Sequence, residues 1–257
     1  MNNLQLRSLS GISTGALSTL SILLFVGAWQ LLALWVNDTM LPSPIMVALV
    51  FWQAILSGEL PFHLGVTLLR LAISFIIAML LGCAIGILLG RSKQLDGLFD
   101  QWLIIFLNIP ALVSMILCYV WFGLTESAAI LAVVINKIPN VAVTVREGTR
   151  ALDLDLLEMA RCYHFSKRKT LKHVIWPQLH PYIMAATRSG LALIWKIILV
   201  VELLGRSDGM GYQLNLFFQL FDVASILAYT VAFIGVIQCL EWLVLKPLDK
   251  KNQRWRR

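Results

Sequence analysis

Apolar residues fall in long unbroken blocks, not in the alternating or three-and-four spacing of a half-buried strand or an amphipathic helix. Residues 17–36 carry no charge. Twenty such residues make about 30 Å of helix at ~1.5 Å per residue, one bilayer crossing. Blocks at 71–89, 103–122, 127–145, 182–201 and 223–244 are each long enough to cross once, so an all-α membrane protein with six transmembrane helices is predicted. The first block is full length and leads into Asn37-Asp38 and Leu41-Pro42-Ser43-Pro44, which predicts a retained span instead of a signal peptide. Residues 45–56 are too few to span, and an interfacial helix or an extension preceding span two is expected there.

Composition agrees with the pattern. The chain is 59% hydrophobic and 14% charged, with a mean hydropathy of +0.79, whereas soluble domains carry about 25% charge. A net charge of +7 would suit nucleic acid were it spread over a soluble surface. With a cytoplasmic amino terminus, however, sixteen of the twenty-one Lys and Arg fall on one face, in 1–16, Arg91, Lys93, 146–172 and the tail 246–257. The opposite face keeps Arg206, Arg70 near the outer end of span two, and the acids Asp38, Glu59, Glu126, Asp208 and Asp222. This is the bias that orients membrane proteins, and its partner is anionic lipid, not nucleic acid. Cys83, Cys118, Cys162 and Cys239 are scattered and read as small buried hydrophobes. No repeat or linker divides the chain, so residues 17–245 read as one transmembrane domain.

Residues 146–181 form the longest non-spanning stretch and include LDLDLLEMARCYHFSKRKTLKHVIWPQLHP. Asp155 is positioned to cap a helix starting at Leu156, with Glu158 reaching back as in a capping box. That helix ends near His164; Ser166 then caps a second one carrying Lys167, Arg168, Lys169 and Lys172, which Pro177 and Pro181 stop. A helix of about eight residues is marginal alone and needs support. Leu156, Leu157, Met159 and Ala160, beside Glu158 and Arg161, either dock into a partner's groove or pack on the protein's own spans with Glu158 only a cap.

This stretch resembles the EAA motif of bacterial ABC importer permeases, Glu-Ala-Ala, three residues, Gly, nine residues, Ile-x-Leu-Pro, here carried by Glu158, Met159, Ala160, His164, Val174, Trp176 and Pro177. Leu41-Pro42-Ser43-Pro44, Asn108-Ile109-Pro110, Trp121-Phe122-Gly123, Glu202 and Gly209-Met210-Gly211-Tyr212 are similar to the branch serving nitrate, sulfonate and taurine importers. The resemblance implies a type I importer fold in the bacterial inner membrane, with both termini cytoplasmic. It also implies a second copy of the chain, two ABC ATPase subunits held through Asp155–Arg161, His164 and Pro177, an external solute-binding protein, and a small anionic solute. ATP would be bound by the partners, and no G-x-x-x-x-G-K-[ST] loop occurs here to cradle its phosphates. Two positions depart from the pattern. His164 replaces the glycine that would take positive φ, and Met159 enlarges an alanine expected to enter the partner.

Inside the spans, Gly82, Gly86 and Gly90 let another helix approach span two, within the subunit or across a dimer axis. Pro110 leaves the Phe106 carbonyl free and kinks span three; Asn108 either satisfies freed backbone groups or lines a polar path. Pro139, with Asn136 and Asn140, predicts a similar irregular turn in span four. Lys137 and Lys196 lie deep in apolar blocks, at ~2.5 to 3.5 kcal/mol each on insertion scales, whereas Arg188 lies near enough to an end to snorkel. Both lysines either form an electropositive path for an anion or pair with a carboxylate such as Glu202. Glu202 precedes a glycine turn in which Gly209 and Gly211 form an external gate, a docking surface, or simply a helix stop. An ion-gradient-driven transporter would instead place carboxylates at the midplane with inverted repeats. A membrane enzyme would cluster His and acids at one depth, yet His63, His164, His173 and His180 are expected outside the spans.

Overall fold

The computed structural model describes residues 14–242, so the expected terminal segment 1–16 (apart from the start of α1) and the tail 246–257 lie outside it. The described residues form helices α1 (Thr14–Val36), α2 (Pro44–Leu56), α3 (Glu59–Arg91), α4 (Lys93–Asn108), α5 (Ala111–Phe122), α6 (Glu126–Arg150), α7 (Leu154–Cys162), α8 (Lys167–Thr170), α9 (Trp176–Gly205), α10 (Met210–Gln219) and α11 (Val223–Leu240). Five helical segments are long and apolar enough to cross a membrane, and six crossings result if α4 and α5 count as one broken span. Residues 45–56 are indeed helical, as α2.

Helix α6 is the axis of the bundle. Ala128, Ala132, Val133, Val141, Ala142 and Val145 on it have essentially no exposed surface. The glycine ladder of α3 faces α6 of the same chain, which settles the choice left open by spacing. A Cβ on Gly82 would fall 2.6 Å from the Val141 side chain, one on Gly86 2.6 Å from the Ala142 carbonyl, and one on Gly90 2.8 Å from the Arg146 carbonyl. Both series rise together, so α3 and α6 run parallel; α9 meets α6 through Tyr182 at Gly148 and through Gly190 at Lys137, so it runs antiparallel. Gly86→Leu is expected to force the helices apart at backbone, costing about 1–3 kcal/mol or more. Its unfolding midpoint in detergent should fall by several degrees. Gly97→Ala, whose Cβ meets nothing within 4 Å, should leave the midpoint unchanged, and equal midpoints for both variants would refute the close packing.

The kink expected at Pro110 is a full bend, with span three two helices at 94°, while three other expectations about local structure change. Pro110 has no N–H to continue α4 and instead starts α5, accepting from Val113 at 3.0 Å. Conversely, α6 runs through Pro139 without a break, and Asn136 and Asn140 each donate to the carbonyl four residues back, at 2.8 and 3.3 Å. Pro177 and Pro181 stop nothing: residues 167–205 form one continuous helical path. A five-residue π turn, Leu171–Ile175, precedes α9, and Pro177 sits in its first turn, where a missing donor costs least. Finally, only Cys118 of the four cysteines is buried; Cys162 and Cys239 are exposed.

At the end where α3 and α6 terminate, Ser92 closes α3 and caps α4 through Leu95 N–H at 3.3 Å. Arg146 bonds Asp100 at 2.5 Å and Asp96 at 3.2 Å, and Arg150 also bonds Asp96, which pins the start of α4 to α6.

Candidate functional site

The opposite end, where α3 and α6 begin and α9 finishes, is closed by a buried ionic cluster. Arg70 on α3 is 3% exposed and Glu202 on α9 is 0% exposed. Arg70 Nη1 donates to Glu202 Oε1 at 2.9 Å and to the Asp208 carbonyl at 2.9 Å. Its Nε and Nη2 grip Glu126 of α6 in a two-point fork at 2.6 and 2.8 Å, and Nη2 also bonds the Asp208 carboxylate. Arg206 adds a second cation, 2.8 Å from Glu126. One guanidinium thus ties three helices and the α9–α10 loop together, with planar donors matched to carboxylates.

Glu202 is also held from the loop side. Thr67 donates its hydroxyl to the carboxylate at 2.9 Å and accepts the Met210 N–H at 2.8 Å; Gly211 N–H donates to Oε2 at 2.9 Å. Gly209 N–H donates to His63 Nδ1 at 3.0 Å, and the Gln213 amide nitrogen lies 2.7 Å from the other ring nitrogen, Nε2. Gly209 has φ +102°, and a Cβ there would fall on the Glu202 carboxyl, while one on Gly211 would lie 2.8 Å from Glu202 Cβ. The glycines are therefore required for the loop to wrap the carboxylate. His63 lies within α3, and His173 and His180 within the helical path 167–205, not outside the spans as expected.

The lysines behave differently from one another. Neither pairs with Glu202, whose ion pair goes to Arg70. Lys137 is 1% exposed and its ammonium has no hydrogen-bond partner. Room for it exists because residue 190 is glycine: a Cβ there would lie 3.1 Å from Lys137 Cε and 3.7 Å from Nζ. Lys196 is exposed, its ammonium 5.4 Å from the Trp195 ring. Asn108 donates to the Ile104 carbonyl at 2.7 Å and, like Pro110, sits exposed at the bend between α4 and α5.

At the other end, α7 begins two residues earlier than expected. Its cap is Asp153, which accepts from Asp155 N–H at 2.9 Å and Leu156 N–H at 3.3 Å; Asp155 is in the first turn, and no Glu158 capping box forms. Tertiary contact selects that cap, since Asp153 N–H donates to Gln178 Oε1 at 2.8 Å. Ala160 is buried and Leu157 and Met159 are half-buried, so they rest on the protein's own helices, whereas Leu156 (42%) and Tyr163 (73%) are exposed, as are Glu158 and Arg161. His164 takes φ 50°, and Phe165 N–H returns to the Ala160 carbonyl at 2.9 Å, a left-handed helix stop. Ser166 caps the next turn, as expected, accepting from Lys169 N–H at 3.3 Å.

Comparison with known proteins gives a consistent answer. Residues 78–245 match the family model described as binding-protein-dependent transport system inner membrane component. The chain is 33% identical to a putative aliphatic sulfonates transport permease protein of Bacillus subtilis over 221 residues, covering 86% of this chain and 80% of that protein. It is 26% identical to the taurine transport system permease protein of Escherichia coli, covering 94% and 90%, and 25% identical to the nitrate import permease protein of Synechococcus elongatus, covering 74% and 71%. Among solved structures, an amino acid ABC transporter aligns with TM-score 0.62 at 20% identity, covering 79% of this chain and 96% of that one. An inward-facing methionine ABC transporter aligns with TM-score 0.54 at 17% identity, covering 73% and 90%.

Proposed function

This chain belongs to the family of binding-protein-dependent transport system inner membrane components, and from that membership we propose that two copies form the pathway of an ATP-driven importer for a small organic sulfonate or a similar anion such as nitrate. Both termini face the cytoplasm, a binding protein delivers the solute from outside, and separate ATPase subunits dock on α7 and the His164 turn. The names of the related permeases support the solute class. Lys137 supplies uncompensated positive charge for the anion, and the loop around Glu202, with Gly209 and Gly211, fastens the outer end of the pathway.

The observation that carries the ATPase contact is the outward face of α7. Leu156 and Tyr163 are apolar or aromatic and exposed, and Glu158, also exposed, makes no ion pair among the described residues. A rigid, capped, nine-residue helix that presents such a face is a helix-in-groove ligand. Motion of the ATPases would move α7 and, through it, the spans. Glu158→Ala is expected to lower copurified ATPase about tenfold, a loss of ~1.4 kcal/mol, without changing the permease's own unfolding midpoint. Undiminished copurification would count against this docking site. In vesicles, uptake should stop when ATP is removed and survive collapse of the ion gradients; the reverse would indicate a gradient-driven transporter.

A further inference from the structure

We propose that each chain holds one anionic phospholipid between α3, α4 and α6, with an acyl chain in an apolar groove and its phosphate in an adjoining basic cavity. The groove encloses about 430 Å³ and is walled by residues such as Leu88, Leu89, Phe99, Trp102, Ile138 and Pro139, with no charged side chain in its lining. That volume is in the range of cavities that take small-molecule ligands. Its α4 wall is one helix face: Leu95, Phe99, Trp102, Leu103 and Phe106 recur at helical spacing. The 94° bend after α4 carries this helix off the line of a straight span.

A second cavity of about 590 Å³ adjoins the groove and shares Leu89 with it. It contains Arg91, Lys93 and Arg150 against a single acid, Asp96. Asp96 is already engaged by Arg146 and Arg150, while Arg91 and Lys93, flanking the α3–α4 corner, form no ion pair among the described residues. A wholly apolar groove that opens onto two uncompensated cations matches a molecule that is hydrocarbon at one end and anionic at the other. Basic pockets between membrane helices bind lipid headgroups for this reason. The cavity is also walled by Leu154 and Leu157 of α7, so a seated headgroup steadies that short helix. Nothing in this inference depends on which solute is carried.

The test uses the full-length protein in nanodiscs containing phosphatidylglycerol diluted into phosphatidylcholine. Native mass spectrometry should find one phosphatidylglycerol retained per wild-type chain, and Arg91→Gln/Lys93→Gln should lower that retention about tenfold or more. Both residues are exposed, so the variant should elute as wild type. Phosphatidylglycerol brominated on its acyl chain should quench wild-type fluorescence more than that of Trp102→Phe, because Trp102 lines the groove. Equal retention of phosphatidylcholine, undiminished retention by the double variant, or quenching independent of Trp102 would each overturn the proposal. So would displacement of the lipid by millimolar inorganic phosphate, which would reveal a bare anion site. A disulfide joining two copies through Phe99→Cys would show the groove to be covered by protein and would overturn it too.

Discussion

Arg70→Ala is expected to lose about 3–5 kcal/mol of folding stability, the cost of stranding a carboxylate in a buried site. Against a total of about 5–15 kcal/mol this is enough to empty the folded state under mild heating. Glu202 has no exposed surface, and its remaining donors, Thr67 and the Gly211 N–H, are neutral. Glu126 and Asp208 would be left facing each other with only Arg206 between them. Arg70→Lys should fall between, since an ammonium is a point charge and cannot reproduce the fork to Glu126. The informative partner is Arg70→Met with Glu202→Met, which removes both buried charges and should recover part of the loss. Thermal unfolding of the purified protein in one detergent reads all three. An Arg70→Ala midpoint within a degree or two of wild type would show that the cluster does not hold this end of the bundle.

The outline of the bundle was legible because lipid leaves backbone no alternative to helix, so every apolar block of adequate length had to become one. The His164 turn and the Ser166 cap were also legible, because each is set by a few neighbouring residues. The ionic cluster was not. Arg70, Glu126, Glu202 and Asp208 lie up to 138 positions apart, and nothing local links them. The available signal was global: Arg70 and Glu202 each stand at the outer end of an apolar block, and two such charges of opposite sign must find each other or neutral partners. Lys196 lies closer to Glu202 in sequence, yet it is exposed and the ion pair goes to Arg70. Pro177 and Asp155 misled for the complementary reason. Proline breaks helices and Asp caps them as local rules, but a π turn absorbed the first and Gln178 selected Asp153 over the second.

Lys137→Met is expected to act with opposite signs on two measurements. Replacing a partnerless buried ammonium by an apolar chain of similar length should raise the unfolding midpoint, because the cost of desolvating the charge disappears. Uptake of an anionic solute should nonetheless fall about tenfold or more, consistent with loss of a ~1.4 kcal/mol attraction. A residue that served only packing would lose stability and keep transport. Normal uptake by a stabilised variant would remove Lys137 from the pathway. Gly190→Ala is the companion: it crowds the lysine by a contact of 3.1 Å without touching its charge, so it separates the position of the ammonium from its presence.

Residues 167–205 run from the basic turn beside His164 to the last turn before the glycine loop as one uninterrupted 39-residue path, about 58 Å of helix. Such a shaft keeps phase along its whole length. Every residue added or deleted within it would turn Glu202 by about 100° relative to the basic turn beside His164, so the two ends cannot be retuned separately by changing its length. Related transporters that differ in length should therefore carry their insertions in the stretches before Glu59 or after Gly205, and keep this rod at constant register.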